Sequence, residues 1–189
     1  MKTTFLKCAS VIIESNNIRI LTDPWLFDGA YYGSWAHYPP FKFDPSFFRE
    51  ISYIYISHIH PDHIDFKSIK QIGSKVPIII LNYRQKYLKN ILKRFGNPII
   101  ELSNGEEFDL GNDTIITIHA ADNCDPIICN KFFGCDLYND GNNTIKGSGQ
   151  MDSICVIKNN EYNVVNVNDA PYSLTTSALK DINNNINNI

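Results

Sequence analysis

SHIHPDH, residues 57–63, contains three of the five histidines of this chain and an aspartate between the last two of them. It follows residues 51–57, whose isoleucine and tyrosine content predicts a buried strand. At the end of a strand, side chains two residues apart point the same way, so His58 and His60 can present their imidazoles to one metal ion. Pro61 disfavours the helical conformation at His60, which keeps the pair extended. The stretch therefore predicts a metal site.

The turn after Pro61 carries two further side chains that bind metals. It aims Asp62 and His63 at a neighbouring point, close enough for a second ion that shares a bridging water with the first. Two such ions lower the pKa of that water toward neutrality and hold both the attacking and the leaving oxygen of a hydrolysis. The alternative is a solvated turn with loop histidines, but three imidazoles and a carboxylate at this spacing match the ligands of Zn²⁺.

The overall composition is that of one globular domain. The chain has 189 residues, 43% of them apolar and 12% aromatic, which is enough to bury a core without disulfides. Lys and Arg number 17 against 20 Asp and Glu, a formal net charge of −3, so no strong basic field is available to hold a nucleic-acid backbone. We therefore expect that nucleic acid, if bound at all, is a substrate held by a few local contacts and not a general binding partner.

Cysteine usage and apolar run length bear on the compartment. Five cysteines, an odd number without paired local spacing, favour reduced thiols over a disulfide framework. Near the start, Lys7 and Glu14 interrupt the apolar residues, which argues against a signal peptide. No segment approaches the roughly 18 consecutive apolar residues of a membrane span. The expectation is a cytoplasmic protein without a membrane partner.

Strand-like and helix-like segments follow one another and predict an α/β chain. Asp65 caps one predicted helix, and Asn82 with Gln85 opens a second. A cysteine- and asparagine-rich loop is predicted over residues 122–150 and a third helix over residues 174–182. The predicted strands are residues 5–8, 11–14, 18–22, 51–57, 76–81, 99–102, 106–109, 114–120, 153–158 and 162–167.

Residues 23–40, DPWLFDGAYYGSWAHYPP, have neither a helical nor a strand period and predict a long ordered loop. Its large rings are expected to pack against other residues. They either wall a substrate cleft by stacking on a sugar or a base, or they only pack the loop. The candidates for the substrate-facing role are Trp25, Tyr31, Tyr32, Trp35 and Tyr38.

Three short motifs of the chain resemble those of the metallo-β-lactamase superfamily. SHIHPDH has the H-x-H-x-D-H signature of that superfamily, LTDPWL (residues 21–26) is similar to its first motif, and NVND (residues 166–169) is similar to its fourth. The resemblance covers nearly the whole chain and implies an αβ/βα four-layer sandwich of two similar halves. Within the superfamily, DPWL, the following GSW and the segment NDAPY look most like the CMP-N-acetylneuraminate hydroxylase-like branch, with the ascorbate-phosphate lactonase-like group as its neighbour.

The resemblance implies a role for each motif residue. The implied metal ligands are His58 and His60 for a first ion, Asp62 and His63 for a second, and Asp169 as a bridge between the two. Asp62 or Asp169 would orient the catalytic water. Asp23 would accept hydrogen bonds that hold the ligand loop in shape. The alternative for Asp169 is a strand-end Asx turn before Ala170 and Pro171.

Two departures from the superfamily pattern concern metal ligands. The third motif supplies a histidine after the strand that corresponds to residues 114–120, but ADNCD (residues 121–125) stands there. His119 lies inside that strand, either as a core histidine or as a ligand, and Asp122 or Cys124 could replace it chemically. The fifth motif, a late histidine, has no counterpart, because no histidine follows His119.

The departures suggest an incomplete second half. We expect one metallo-β-lactamase-like domain over residues 1–189, truncated at its C-terminal end. The sheet edges and apolar faces left uncovered in such a chain favour self-association.

The motifs predict a metal-dependent hydrolase of an ester, a lactone or a phosphodiester, with a sugar or nucleotide-sugar as its small-molecule substrate. The expected cofactor is one or two Zn²⁺ ions, with Fe or Mn as alternatives. Two other functions stay open: an iron-dependent hydroxylase-like component acting on an amino-sugar nucleotide, and a truncated, non-catalytic chain that binds a metal or a carbohydrate. The sequence has no C-x-H pair, so a Rieske-type cluster serving the hydroxylase would lie elsewhere.

Overall fold

Two β-sheets that share one apolar core form the framework of the chain. The computed structural model describes residues 1–40, 42, 44–83, 86–120, 131, 137–139, 145–147, 152–170, 179–180 and 183. Buried isoleucines from both sheets, Ile20 and Ile79 from one and Ile116 and Ile157 from the other, belong to the same core cluster.

The larger sheet has six strands in the order β1-β2-β3-β4-β5-β6. They are β1 (Lys2–Lys7), β2 (Ser10–Ser15), β3 (Ile18–Thr22), β4 (Tyr53–Tyr55), β5 (Ile78–Leu81) and β6 (Ile99–Leu102). The first three strands pair antiparallel, whereas β3, β4, β5 and β6 pair parallel. Every residue of β5 is buried, as expected of a parallel strand covered on both faces.

The connections between the parallel strands carry the helical elements. A single turn, α1 (Ala30–Gly33), lies between β3 and β4, α2 (Phe66–Ile72) between β4 and β5, and α3 (Tyr87–Leu92) between β5 and β6. Two 3-10 turns, Pro45–Phe48 and Lys93–Phe95, complete these connections. These elements leave the carboxyl ends of β3 and β4 at one edge of the sheet, where the predicted ligand loop begins.

Helix α2 begins where the sequence predicts. The Asp65 carboxylate accepts hydrogen bonds from the backbone N–H groups of Lys67 (3.1 Å) and Ser68 (3.2 Å). Gly73 follows the helix with a φ of 105°, a conformation that favours glycine.

Helix α3 begins later than predicted. Its N-cap is Lys86, without a side-chain hydrogen bond, so the predicted start at Asn82 is wrong. The physical reason is that Asn82 still belongs to the sheet, since its backbone N–H donates to the carbonyl of Leu102 (2.7 Å). Sheet pairing therefore outweighs the local capping signal.

The smaller sheet is antiparallel throughout, in the order β12-β11-β8-β7. Its strands are β7 (Glu107–Gly111), β8 (Thr114–Ala120), β11 (Ser153–Lys158) and β12 (Asn163–Asn166). Between β8 and β11 in the chain, β9 (Leu137–Asn139) and β10 (Ile145–Gly147) pair with each other. The loop prediction over residues 122–150 is wrong at these two strands, which contain the strand-favouring residues Tyr138 and Ile145.

The α/β fold class predicted from the sequence is confirmed, with two sheets and helices in the crossovers. Of the predicted helix over residues 174–182, positions 179 and 180 lie within the described residues, and both are helical. Among the described residues, no helix is long and apolar enough to cross a membrane.

Candidate metal centre

The histidines of SHIHPDH lie in a loop at the carboxyl end of β4. Ser57 and His58, at 0% and 1% exposure, are buried at its start. The loop turns back around Pro61, since the backbone N–H of His63 donates to the carbonyl of His60 (3.0 Å). This turn brings the rings of His63 and His58 to a centroid distance of 4.0 Å. The carboxyl ends of parallel strands are a common position for ligand sites.

His58 and His60 face each other at the start of the loop. Nε2 of His58 lies 2.8 Å from Nδ1 of His60, and the ring centroids are 4.6 Å apart. Two imidazole nitrogens this close together can bind one ion.

A buried carboxylate, Asp23, supports the loop from within the sheet. Asp23 follows β3 with a left-handed φ of 40° and is fully buried. The backbone N–H of Ser57 donates to its Oδ1 (2.8 Å), and the Ser57 hydroxyl lies within 3.0 Å of both carboxylate oxygens. Nδ1 of His63 is 3.2 Å from Oδ2 of Asp23. One carboxylate therefore anchors both ends of the ligand loop.

These contacts assign the proton of His58. The Ser57 hydroxyl donates its single proton to Asp23, so its oxygen accepts a hydrogen bond from Nδ1–H of His58 (2.9 Å). Nε2 of His58 then carries the lone pair, and it accepts a hydrogen bond from Nδ1–H of His60 (2.8 Å). This is the tautomer in which a histidine binds a metal through Nε2.

Two carboxylates lie beside the other nitrogen of His63. Oδ2 of Asp169 is 3.2 Å from Nε2 of His63, and Oδ2 of Asp62 is 3.7 Å from it. Asp169 follows β12 in the smaller sheet, and its side chain is 57% exposed. Within the described residues, the ligand atoms of His58, His63 and Asp169 all lie within 4.8 Å of one another. The two sheets thus meet at this centre.

One carboxylate of the centre, Asp152, is absent from the set predicted by the sequence. It directly precedes β11, and its Oδ1 lies 3.7 Å from Nε2 of His58. Burial raises the pKa of the Asp152 carboxyl, while the charge of His60 opposes that rise. Asp152 is recognised only once the strand pairing is known, because Ser153 pairs with Ala120 and so places residue 152 beside the end of β8.

The two buried imidazoles have opposite protonation preferences. Burial, together with the charges of His63 and His60, lowers the pKa of His58 to about 2. Burial also acts to lower the pKa of His63, but the hydrogen bond and charge of Asp23, with the charge of Asp169, outweigh it and raise that pKa to about 9. Negative charge is therefore concentrated on the His63 side of the centre, where a cation is stabilised.

Tyr31 connects the aromatic loop, residues 23–40, to the centre. Its hydroxyl donates to Oδ1 of Asp62 (2.8 Å), and its ring packs against Trp35 at a centroid distance of 4.6 Å. Burial and the hydrogen bond to Asp62 raise the pKa of Tyr31 to about 12, so the hydroxyl stays a donor. The left-handed φ of 50° at Tyr31 is rare for an aromatic residue and places this ring at the centre.

The other rings of the aromatic loop divide into packed and exposed ones. Trp25 is buried against His37, at a centroid distance of 4.2 Å, and packs the loop. Trp35 is 50% exposed, and Tyr32 and Tyr38 are almost fully exposed. The exposed rings are the ones available to a substrate.

Of the remaining candidate ligands from the sequence, His119 does not belong to the group whose ligand atoms converge within 4.8 Å, and the other two lie outside the described residues. His119 is half-buried in β8, where it pairs with Ile154 and lies on the strand face opposite the buried Ile118. Asp122 and Cys124 lie outside the described residues.

A protein-family model described as beta-lactamase superfamily domain matches residues 2–169 of this chain. The chain belongs to the beta-lactamase superfamily. This confirms the resemblance inferred from SHIHPDH and its companion motifs.

Curated relatives match about half of the chain or less. A "Putative Rieske 2Fe-2S iron-sulfur protein" of Mycolicibacterium smegmatis is 32% identical over 98 residues, 51% of this chain and 19% of the relative. The cytidine monophosphate-N-acetylneuraminic acid hydroxylase of Xenopus laevis is 32% identical over 81 residues, 42% of this chain and 14% of the relative. The matched region spans less than a fifth of each relative's length.

Solved structures show the same fold over nearly the whole chain. A "possible metal-dependent hydrolase" from Veillonella parvula has a TM-score of 0.70 at 15% identity, with 96% of this chain and 68% of that one covered. CmlA, a diiron β-hydroxylase from Streptomyces venezuelae, has a TM-score of 0.61 at 16% identity, covering 94% of this chain and 32% of that one. At these identities the likeness establishes the fold.

Proposed function

We propose that this beta-lactamase-superfamily chain is a metal-dependent hydrolase that cleaves an ester, a lactone or a phosphodiester with an activated water. The observation that carries the proposal is the convergence of ligand atoms from His58, His63 and Asp169 within 4.8 Å. His60, 2.8 Å from His58, and Asp62, 3.7 Å from His63, extend this cluster to five candidate ligands.

The donor set fits a divalent transition-metal ion. Imidazole nitrogens and carboxylate oxygens together bind Zn²⁺, Fe or Mn, of which one or two Zn²⁺ ions are our primary assignment. Ser57 holds Nδ1 of His58, and Asp23 holds Nδ1 of His63, so both rings direct Nε2 into the cluster. Hydrogen bonds behind the ligand ring are typical of metal-binding histidines.

An ion held by these residues would supply a water of lowered pKa and would polarise the bond to be cleaved. The residues of the chain orient the reactants. Asp169 is more than half exposed and can accept a hydrogen bond from the attacking water. Asp62 is held by Tyr31 through Oδ1 and directs Oδ2 toward His63, so its position does not depend on the substrate.

A small sugar or nucleotide-sugar is the proposed substrate. The aromatic loop supports this assignment, because Tyr31 contacts Asp62 and its ring neighbour Trp35 is half exposed. A flat apolar ring beside a polar centre suits stacking on the face of a sugar or a base.

The carboxylates of the centre favour a second function, that of an iron-dependent hydroxylase-like component acting on an amino-sugar nucleotide. Asp152 adds an oxygen donor beside His58, and a set of two histidines and one carboxylate is typical of non-haem Fe(II) sites. The similarity to a cytidine monophosphate-N-acetylneuraminic acid hydroxylase supports this alternative. Its electrons would come from a separate protein or segment.

Metal analysis tests the centre itself. The purified chain is compared with the double variant His58→Ala/His60→Ala and with His119→Gln, a histidine control outside the cluster. We expect the wild type and the control to carry the same metal content and the double variant to lose most of it. Unchanged metal in the double variant would overturn the proposed centre.

A turnover screen separates the functions. The metal-loaded chain is offered a phosphodiester, a lactone and an amino-sugar nucleotide, each with and without a reductant, in air and under argon. A hydrolase turns over equally in both atmospheres, since water is its only co-substrate. Turnover that needs O₂ and a reductant would support the hydroxylase instead, and tight metal binding without turnover would support a non-catalytic chain.

A further inference from the structure

The start of β11 lies where the superfamily pattern leads us to expect a third metal-binding residue. That residue should follow the strand that is β8 here, but the sequence after Ala120 offers no histidine. Ser153 pairs antiparallel with Ala120, so the residue before Ser153 lies at the same end of the sheet as the residue after Ala120. Asp152 occupies that position and is largely buried, with its side chain 18% exposed.

A carboxylate oxygen and an imidazole nitrogen face each other at this end of the sheet. Because Nδ1–H of His58 donates to Ser57, its Nε2 carries a lone pair, which accepts from Nδ1–H of His60 (2.8 Å), and Oδ1 of Asp152 lies 3.7 Å from the same Nε2. This distance is too long for a hydrogen bond through a shared proton. It is close to the ~3.4 Å that separates two ligand atoms bound at about 2.1 Å to one tetrahedral ion. A cation that takes the place of the His60 proton would be attracted by His58 Nε2, by His60 Nδ1 and by the Asp152 carboxylate.

We propose that Asp152 is the third protein ligand of the ion held by His58 and His60, in place of the superfamily's third-motif histidine. The inference rests on the proposed function only in that His58 and His60 bind a metal ion. Two of the ligands come from the larger sheet and Asp152 from the smaller one, so this ion joins the sheets.

The identity of the third ligand sets the metal preference. Three imidazoles suit Zn²⁺, whereas two imidazoles and one carboxylate suit Fe(II). The carboxylate also suits Mn²⁺, which prefers oxygen ligands. Asp152 therefore lowers the preference of the site for Zn²⁺ over Fe(II) relative to a three-histidine site.

Two substitutions at one position test the assignment. Asp152→Asn keeps the shape of the side chain but removes its charge, and Asp152→His supplies the imidazole of the usual pattern. Asp113→Asn, at an exposed aspartate in the turn between β7 and β8, is the matched control. The readouts are the affinities for Zn²⁺ and Fe(II), measured by chelator competition without oxygen, and the absorption spectrum of the Co²⁺-loaded chain.

We expect D152N to weaken the tightest-bound ion at least about tenfold, the lower end of what lost support of a metal ligand costs. D152H should keep the metal stoichiometry, change the Co²⁺ spectrum and raise the Zn²⁺ to Fe(II) affinity ratio. D113N should behave like the wild type. Circular dichroism of each metal-free variant shows whether it folds, and if D152N does not fold, D152H decides.

The outcomes separate this inference from the proposed function. Unchanged affinity in D152N, or an unchanged Co²⁺ spectrum in D152H, while His58→Ala/His60→Ala loses its metal, would overturn the role of Asp152 and leave the metal centre intact. Unchanged metal in His58→Ala/His60→Ala would overturn both.

Discussion

The two sheets contribute different atoms to the centre. The larger, partly parallel sheet brings the imidazoles of His58, His60 and His63, with the carboxylate of Asp62, from one loop after β4, whereas the smaller, antiparallel sheet brings only carboxylates, those of Asp152 and Asp169. The histidine loop is built into the core by buried hydrogen bonds, but Asp169 is more than half exposed. The larger sheet therefore holds the histidine side chains in place, and the smaller sheet adds carboxylates on the side that faces solvent.

A chain of buried hydrogen bonds joins the sheets beneath the centre. Ser153 at the start of β11 donates from its hydroxyl to the carbonyl of Ser57 (2.8 Å), and the Tyr55 hydroxyl donates to the carbonyl of Ser153 (3.0 Å). Tyr83 also donates to the carbonyl of Ser57. Ser57 directly precedes His58, and Ser153 directly follows Asp152. The contact between the two serines therefore sets the distance between these two candidate ligands.

Replacement of Asp23 should have the largest effect on stability and metal affinity, because it removes the buried carboxylate that holds the histidine loop. Asp23→Ala removes the acceptor of two hydrogen bonds from Ser57 and leaves His63 without its buried partner. We expect a loss of roughly 3–5 kcal/mol in the free energy of unfolding of the metal-free chain. Metal affinity should also fall, by about 10–100-fold, because Nδ1 of His63 is no longer held. Urea unfolding with a chelator present and metal titration measure the two effects.

Asp23→Asn is the matched variant, since it keeps an oxygen that accepts from Ser57 while it removes the charge. It should retain more stability than Asp23→Ala but still bind metal more weakly than the wild type. Wild-type stability and affinity in Asp23→Ala would show that the loop is held by its own turn and that the larger sheet does not fix the site.

The sequence reveals the histidine loop and Asp169 far better than it reveals Asp152. SHIHPDH is continuous, so its ligand types and their spacing can be interpreted without knowing how strands pair. Asp152 lies close to His58 only because β11 pairs antiparallel with β8, a contact between residues 33 positions apart at Ser153 and Ala120. No local pattern encodes that register, so an isolated aspartate before a strand could not be recognised as part of the site.

The start of α3 illustrates the same limit within one sheet. Asn82 and Gln85 form a plausible cap in the sequence, but the hydrogen bond of Asn82 to Leu102 extends β5 instead. By contrast, α2 begins where the sequence predicts, because Asp65 caps it through contacts two and three residues away. Local signals are thus reliable where local contacts decide the structure.

Loss of the Tyr55 hydroxyl should have an intermediate effect and tests the contact between the sheets. In Tyr55→Phe the fully buried ring stays, but the hydrogen bond to the Ser153 carbonyl is lost. We expect about 1–2 kcal/mol of destabilisation in urea unfolding, because buried polar atoms are left without a partner. Tyr53→Phe is the control, since its longer hydrogen bond to the Leu110 carbonyl (3.4 Å) should cost less. Equal effects of the two variants would contradict a special role for the contact beneath the centre.

The smallest effect is expected at the far side of the larger sheet, where Glu101 of β6 pairs with lysines next to and within α3. The Glu101 carboxylate lies 2.7 Å from Nζ of Lys86 and also contacts Lys89. Partial burial acts to raise the pKa of Glu101, but the two lysines outweigh it and hold that pKa below its usual value. Because both lysines are 31–41% exposed, Glu101→Gln should cost less than about 1 kcal/mol near neutral pH.

The pH dependence of this pair has a definite sign. A carboxyl whose pKa is lower in the folded than in the unfolded chain adds stability above the unfolded pKa of about 4.3, and this is lost as pH falls through the folded pKa. The stability difference between wild type and Glu101→Gln should therefore be present at neutral pH, shrink in acid, and shrink again in about 1 M salt, which screens exposed charges. Urea unfolding with a chelator present measures the difference, and metal titration should give wild-type affinity. A change in metal affinity would show that the two sides of the larger sheet are coupled, so the rigidity of the histidine loop would not be a local property of Asp23 and Ser57.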